Sequence, residues 1–501
     1  MSAPRAPRPG VPGRRRGALA VLTGLALGLP GGALLQAAPL PPAPESGGCV
    51  VGLPPTAACD GLLLAPLAFV GGRGIAPSAL HRQLSLGPGD PFSWERWTRD
   101  LQNMRNSGLF RQLSATVREV AAGRLHLQVV AEVGWSLLPI LGYQSGSVDI
   151  LIAGLYDANS FHQYIEIGGY YMRRDDYNLG RAWFLLPNIP VHGAQIEVQA
   201  VLAGSLLASY PGYTPPAGPA DWRVPASGIE VLRRGGLIDL GYDLLPGQVT
   251  LSLRYLLLRE ELYPLLNLPA VLAAAPRGER TPALQRGTPV LATLSLPAIN
   301  LRVGRADLLD NYRWQGTEAR AVVLPSSRVW GSDRDFLMFY GTLRSFVPLA
   351  PRLDLAGQVG AGGSSSEDLV DQLTLGGDNL DPFVSSQPFP GLLNVRGFRS
   401  SNFPGRAIAF LNVEPRLRVT SGLPLPLVGP VAIQAALFAD IGRAWPGGLA
   451  DAGSPLAASV GGGGLLSLRD FRYAFLNWYC ARTLNPYAEW SFNLVLTRPV
   501  F

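Results

Sequence analysis

The chain has 501 residues, 47% of them hydrophobic and only 16% charged, with 59 Gly and 45 Pro. That balance excludes a disordered chain, which is apolar-poor, and a helical bundle or coiled coil, which has few helix breakers. All 42 basic residues are Arg, so Walker A, Schiff-base and kinase-type lysine chemistry is excluded as well.

At the N-terminus, Arg5, Arg8, Arg14, Arg15 and Arg16 precede an apolar run, Gly17 to Leu29, closed by Pro30-Gly31-Gly32. Small residues at Ala37-Ala38 offer a cleavage site, so residues 1–38 read as an export signal, too short in its apolar run to span a bilayer. No Asp or Glu precedes Glu45, so these five Arg carry most of the formal net charge of +6. The basic balance therefore belongs to the signal and does not argue for nucleic-acid binding.

Residues 39–59 are rich in Pro, Ala and Gly and read as a tether. Cys49 and Cys59 lie within it, and export permits a disulfide, but spacing alone does not decide whether they pair. The third cysteine, Cys480, follows Trp478-Tyr479 and reads as a small apolar strand residue.

Residues 60–133 read as a small α+β unit. Leu62 to Val70 is an apolar strand, and Pro77 opens a short helix. Ser93 caps a second helix with Trp94, Trp97, Leu101 and Met104 at helical spacing, and Gly108 suits its end. Leu113 to Glu119 and Arg124 to Val133 are two strands around Ala121-Ala122-Gly123.

From residue 134 to 501 no long helical period appears. Short alternating segments recur instead. Gln195, Glu197 and Gln199 oppose Ile196, Val198 and Ala200; Thr250, Ser252 and Arg254 oppose Leu251, Leu253, Tyr255 and Leu257. The same scheme returns at Arg352-Leu353-Asp354-Leu355 and at Glu489 to Leu494. Periodicity does not separate a soluble sandwich, with its apolar face buried, from a membrane barrel with an apolar exterior and a polar lumen. Export, length and the absence of a later hydrophobic helix favour a transmembrane antiparallel β-barrel of about 16 strands, mainly β, preceded by the small α+β unit.

Several motifs now carry a resemblance. Phe69-Val70-Gly71-Gly72, Leu86 to Phe92, Ser107-Gly108-Leu109-Phe110 and Val130-Ala131-Glu132 make the 60–133 unit similar to a POTRA domain. Gly154 to Phe161 resembles the first barrel hairpin of the BamA/TamA family, and Asn394-Val395-Arg396-Gly397-Phe398-Arg399 its Val-Arg-Gly-Phe loop. Asn412-Val413-Glu414-Pro415-Arg416 and Phe438-Ala439-Asp440-Ile441-Gly442 resemble its paired late-strand motifs, with a 134–501 barrel of the surface-antigen type. The resemblance spans about residues 60 to 501, and it implies an outer-membrane protein that folds nascent barrels into the membrane or passes polypeptides across it. Unfolded clients, and periplasmic chaperones or assembly partners, would meet the POTRA unit in the periplasm, where a sheet edge adds a client strand. The first and last barrel strands would meet at a weak seam that a client strand can join. No covalent chemistry, cofactor or metal is called for, so the expectation is not an enzyme. The alternatives are a passive diffusion porin and an inert structural barrel subunit.

The residues supply a physical role for Arg396. A guanidinium inside a lumen needs acceptors, and Glu414 and Asp440 are natural partners for its planar fork. By the resemblance, this contact pins the inward-folded loop formed by Val395, Arg396, Gly397 and Phe398. Trp490 and Phe492 lie in a last strand and Phe501 ends the chain, together a barrel-type terminal signal, although Phe501 falls on the opposite parity unless Pro499 bends the chain. Two departures from the family stand out: only one POTRA unit fits, and Asp378 to Leu393 lengthens the loop.

Other chemistry finds little footing. His81, His126, His162 and His192 lack zinc-ligand spacing. Gly357-Gln358-Val359-Gly360-Ala361-Gly362 and Gly461 to Gly464 read as barrel glycines because no helix follows them. Asp175-Asp176 and Asp333-Arg334-Asp335 read as solvated turns, since a Ca²⁺ site needs six or more oxygens.

Overall fold

The computed structural model describes residues 49–70, 74–107, 109–145, 150–174, 177–188, 191–209, 227–245, 247–264, 266, 285–309, 313–368, 371–376, 395–398, 403–425, 429–450, 456–468, 475–486 and 488–497. Residues 1–48, Gly108, Asp175-Asp176, the insertion Asp378–Leu393 and Phe501 lie outside them, and with them the signal peptide, most of the tether and the terminal aromatic residue.

The small unit contains β1 (Leu63–Leu64), β2 (Ala68–Val70), α1 (Pro77–Arg82), α2 (Trp94–Asn106), β3 (Phe110–Ala121) and β4 (Arg124–Val133). Pro77 sits at the first helical position of α1, where its missing N–H costs nothing. The Ser93 hydroxyl accepts the Arg96 N–H at the start of α2. Trp97, Leu101 and Met104 are buried on one face of α2, where their spacing places them. The expected Leu62–Val70 strand is split into β1 and β2, both parallel to the central β4, while β3 runs antiparallel on its other side. Cys49 and Cys59 form a disulfide, with Cα atoms 4.9 Å apart. The segment it clasps lies along the outer edge of β3: Val117 N–H donates to the Leu53 carbonyl at 2.8 Å, and Gly52 N–H donates to the Val117 carbonyl at 2.7 Å.

The rest of the chain supplies β5 (Leu137–Ser145), β6 (Ile150–Ser160), β7 (Ile165–Arg174), β8 (Tyr177–Pro187), β9 (Ala194–Ser209), β10 (Ser227–Leu245), β11 (Val249–Pro264), β12 (Val290–Leu309), β13 (Arg313–Ser326), β14 (Phe336–Ala350) and β15 (Leu353–Ser364). Two short strands follow, β16 (Leu373–Leu375) and β17 (Phe403–Gly405). The chain then adds β18 (Ala407–Leu425), β19 (Gly429–Trp445), β20 (Ala457–Leu468), β21 (Phe475–Asn485) and β22 (Trp490–Thr497). From β5 onward, all but β16 and β17 join in one closed antiparallel barrel of sixteen strands, as the alternating segments led us to expect. No helix among the described residues is long and apolar enough to cross a membrane.

Closure makes β22 pair with β5, Phe492–Leu496 against Leu141–Ser145. Among the described residues this is the shortest pairing in the barrel. The β9–β10 pairing, by contrast, runs from Ala194 to Ser209 against Ser227 to Tyr242.

The exposure pattern decides between sandwich and barrel. On β11, Leu253, Tyr255 and Leu257 are 56%, 46% and 49% exposed, whereas Thr250 and Ser252 are each 8% exposed. The apolar face is the outside, an arrangement suited to lipid and not to water. The same holds on β22, where Trp490 and Phe492 face out and Ser491 and Asn493 face in.

The lumen departs from the uniformly polar interior expected of a barrel. Toward the short turns it is polar, with Asp239, Thr250, Ser252, Glu318, Arg344 and Gln358 buried. Toward the long connections it carries an apolar cluster beside the buried charges of Arg233 and Glu260: Leu237, Leu256, Leu258, Leu294, Leu296 and Met338 group with β16, β17 and the Val395–Phe398 segment. The inserted segment between β15 and β18 needs a hydrophobic seat, and this half of the wall supplies it.

The small unit sits across the mouth at the end with short turns. Ala76 N–H donates to the His162 carbonyl at 2.7 Å, and Arg82 Nη2 donates to the Gln163 carbonyl at 3.1 Å. Asn188 Nδ2 donates to Gln83 Oε1 at 2.6 Å, and Asn106 Nδ2 donates to Asp307 Oδ1 at 2.9 Å. His162 and His192 both serve this junction through backbone carbonyls of the small unit, Gly74 and Arg82 respectively. The apolar core of the unit continues into the barrel wall through Leu138, Ile140, Tyr156 and Ala158.

Candidate functional site

The described stretches 371–376, 395–398 and 403–405 of the connection from β15 to β18 fold back into the lumen. Its strands β16 and β17 pair antiparallel, Leu373 opposite Gly405 and Leu375 opposite Phe403. Val395 and Phe398 are fully buried, and the Phe398 ring packs edge-on against Phe403 with centroids 5.5 Å apart. Val395 and Leu375 occupy the space beside Gly442 on β19, where a Cβ would collide with both side chains.

Arg396 is the polar centre of this segment. Its Nε donates to Asp440 Oδ2 and its Nη2 to Asp440 Oδ1, both at 2.8 Å, a two-pronged grip. The Arg396 backbone N–H donates to the same Asp440 Oδ2 at 3.0 Å. Nη1 donates to Glu414 Oε2, and the other Glu414 oxygen accepts Arg416 Nε at 2.7 Å. Arg396, Glu414, Asp440 and Arg416 are all nearly fully buried, so these charges are held by one another and not by water.

The wall is shaped for this guanidinium. Strands β18 and β19 place Asn412 opposite Asp440, and period-2 alternation aims Asn412, Glu414 and Arg416 at the lumen with Asp440. The Arg396 Cζ lies 3.7 Å from the centroid of the Phe438 ring, two residues before Asp440 on the same face. Phe438 fits because Gly461 on β20 has no side chain; a Cβ there would overlap the ring. Gly397 adopts φ +87°, in the left-handed region, with Ala481 Cβ and Thr483 Cγ2 each 3.2 Å from where a Cβ would stand.

The structure thus brings Val395, Arg396, Gly397, Phe398, Glu414 and Asp440 together. Trp490 and Phe492 lie apart on the outer face of β22, and Arg482 Cζ lies 5.3 Å from the Trp490 ring centroid. The Asp333-Arg334-Asp335 stretch is engaged in the fold: Asp333 accepts the Thr293 N–H at 2.5 Å, and Asp335 accepts the Arg328 N–H at 2.8 Å. The glycine runs lie on β15 and β20, within the barrel wall. Three contributors escaped the sequence reading: Phe438 as a shelf, Gly461 as its clearance, and the apolar cluster of the upper lumen. The run Leu256-Leu257-Leu258, apolar on both faces of one strand, was a legible sign of the last.

No protein-family model matches the sequence, and no curated protein matches it significantly. Solved structures do match. BamA from Haemophilus ducreyi lacking POTRA domains 1–3 aligns with a TM-score of 0.50 at 14% identity, over 87% of this chain and 84% of that one. CdiB from Acinetobacter baumannii aligns with a TM-score of 0.55 at 13% identity, over 87% of this chain and 74% of that one. The chain shares the fold of BamA and CdiB. At this identity the likeness concerns the fold, and the chemistry of the loop rests on its own geometry.

Proposed function

We propose that this protein is an outer-membrane β-barrel that inserts or translocates client polypeptides, with the small α+β unit acting as a single POTRA-type receiver in the periplasm. The observation that carries the reading is Arg396, held by Asp440 and Glu414 on a segment folded into the lumen of a sixteen-stranded barrel. A loop fastened by a few buried polar contacts is a discrete two-state element, docked or released, and a pore for chains needs one. The short β22–β5 pairing supports a second route: a client strand can join the edges there, since an unpaired edge in lipid is costly. The outer edge of β3 supports the receiver role, because Val117 there offers its N–H and carbonyl outward and at present bonds only a turn of the chain's own N-terminal segment.

A passive porin is favoured by the polar lower lumen and disfavoured by the apolar insert above it. The test is reconstitution of the full chain in liposomes with an unfolded outer-membrane polypeptide. The proposal expects client binding and client insertion or passage, both impaired by Arg396→Ala in a barrel that remains folded. Steady small-solute conductance without client binding would replace it with the porin reading.

A further inference from the structure

A second group of buried charges grips the inserted segment from another sector of the wall. Glu260 on β11 is fully buried; one of its oxygens accepts Arg233 Nε at 2.6 Å and the other accepts Arg334 Nη2. The same Arg334 nitrogen lies 2.9 Å from Asp371 Oδ1, and Asp371, 2% exposed, stands two residues before β16. Ser364 at the end of β15 donates its hydroxyl to the Asp371 carbonyl at 2.6 Å, which fixes the backbone there.

The barrel explains why Arg334 is available. The described β12–β13 register stops at Ile299 opposite Val323, leaving the upper part of β12 without a β13 neighbour. The β13–β14 connection folds over that gap. Asp333 N–H donates to the Thr293 carbonyl at 2.9 Å, and the Ser332 hydroxyl both accepts the Ser295 N–H at 2.7 Å and donates to the Ser295 carbonyl at 2.8 Å. Arg334 follows directly and is turned inward onto Glu260 and Asp371. From β11 to β18, which carries Glu414, the wall runs through four intervening strands. The inserted segment is therefore held at two separate places, its base by Arg334 and its Val-Arg-Gly-Phe turn by Asp440 and Glu414.

We propose that Arg334, fixed by Glu260, is a positioning residue that docks the base of the inserted segment by gripping Asp371, independently of the Arg396 contact. The inference goes beyond the transport reading and concerns the docked state of the segment itself. Burial of Asp371 makes docking pH-dependent, and Arg334 offsets part of that cost while the carboxyl is charged. The charged groups that face it are Arg334, Glu260, Arg233 and Asp368, and burial outweighs Arg334 so that its carboxyl is raised to about 6. A released Asp371 regains the ordinary carboxylate value of 3.8. The docked state thus binds the proton more tightly than the released state. Docking is tightest at low pH, weakens as pH rises from 3.8 to about 6, and levels off above that.

The test is hydrogen–deuterium exchange of the Leu373–Leu375 amides in the full, folded chain, corrected for intrinsic rates. It is read between pH 5 and pH 7.5 in wild type, Arg334→Met and Asp371→Asn. The expected result is a loss of protection of about tenfold in wild type from pH 5 to pH 7.5. Asp371→Asn should stay flat and protected, and Arg334→Met should lose protection at pH 7.5. Should Arg334→Met fail to fold, Arg334→Gln is read in its place at pH 7.5. Unchanged protection in the Arg334 variant at pH 7.5 would overturn the proposal, and a wild-type profile that superimposes on Asp371→Asn would confine it to a pH-independent contact. Because the readout is loop opening and not client handling, either result leaves the transport reading to its own test.

Discussion

Arg396→Ala is the most informative perturbation of the loop. It removes the two 2.8 Å contacts to Asp440 and the contact to Glu414, and it uncovers the Phe438 ring. It spares the Arg396 backbone bond to Asp440. Two buried carboxylates are left, one of them still paired with Arg416. Removing one partner of a buried ion pair costs about 3–5 kcal/mol, because the remaining charge stays desolvated. In the barrel that cost falls on the docked state alone, since release of the segment lets water reach Asp440. At about 1.4 kcal/mol per tenfold, the docked-to-released equilibrium should shift by roughly a hundredfold to a few thousandfold. The assay is limited proteolysis of the segment between β15 and β18 in liposomes, alongside single-channel conductance. Faster cleavage and more frequent open events are expected, with the barrel itself intact. An isosteric partner change, Asp440→Asn, should give a smaller shift in the same direction. Arg396→Ala with unaltered cleavage and conductance would refute the view that this ion pair holds the loop.

Further outcomes follow from the same geometry. Gly461→Val should displace Phe438 from beneath Arg396 and destabilise the barrel by about 1–3 kcal/mol, read as a lower thermal unfolding midpoint. Cys59→Ser should cost the small unit about 3 kcal/mol of loop-closure stabilisation, read as faster amide exchange at Val117 as the clasped segment leaves the β3 edge. Combining Arg82→Ala with Asn106→Ala removes side-chain contacts at both sides of the junction. At about 1 kcal/mol for each hydrogen bond, spin-label distances between the small unit and the barrel turns should broaden.

Much of the barrel was legible because strand alternation writes both faces into the sequence. Thr250-Leu251-Ser252-Leu253 encodes a wall residue by residue, and only the identity of the wet face had to be argued from export and length. Arg396 and its two acids were legible for a related reason: an arginine without water needs carboxylates, and few lie on lumen-facing parity downstream. The second charge group was not legible, because it depends on where β13 stops pairing. Arg334 reaches Glu260 across 74 positions of sequence only because the β13–β14 connection folds over β12. The docking of the small unit depends likewise on polar groups at His162, Asn188 and Asp307, distant in sequence from the residues of the small unit that they meet.

The transport reading requires that a polypeptide client meet the barrel at its closing strands. A photocrosslinking residue in place of Tyr143, which lies opposite Leu494 in the β22–β5 pairing and faces outward, can be installed in cells that produce the full chain. Adducts with newly exported polypeptides are expected, lost when the same residue is placed on an outward position far from the seam such as Leu253. Adducts with lipid alone at Tyr143, in a protein that conducts small solutes freely, would contradict the transport reading.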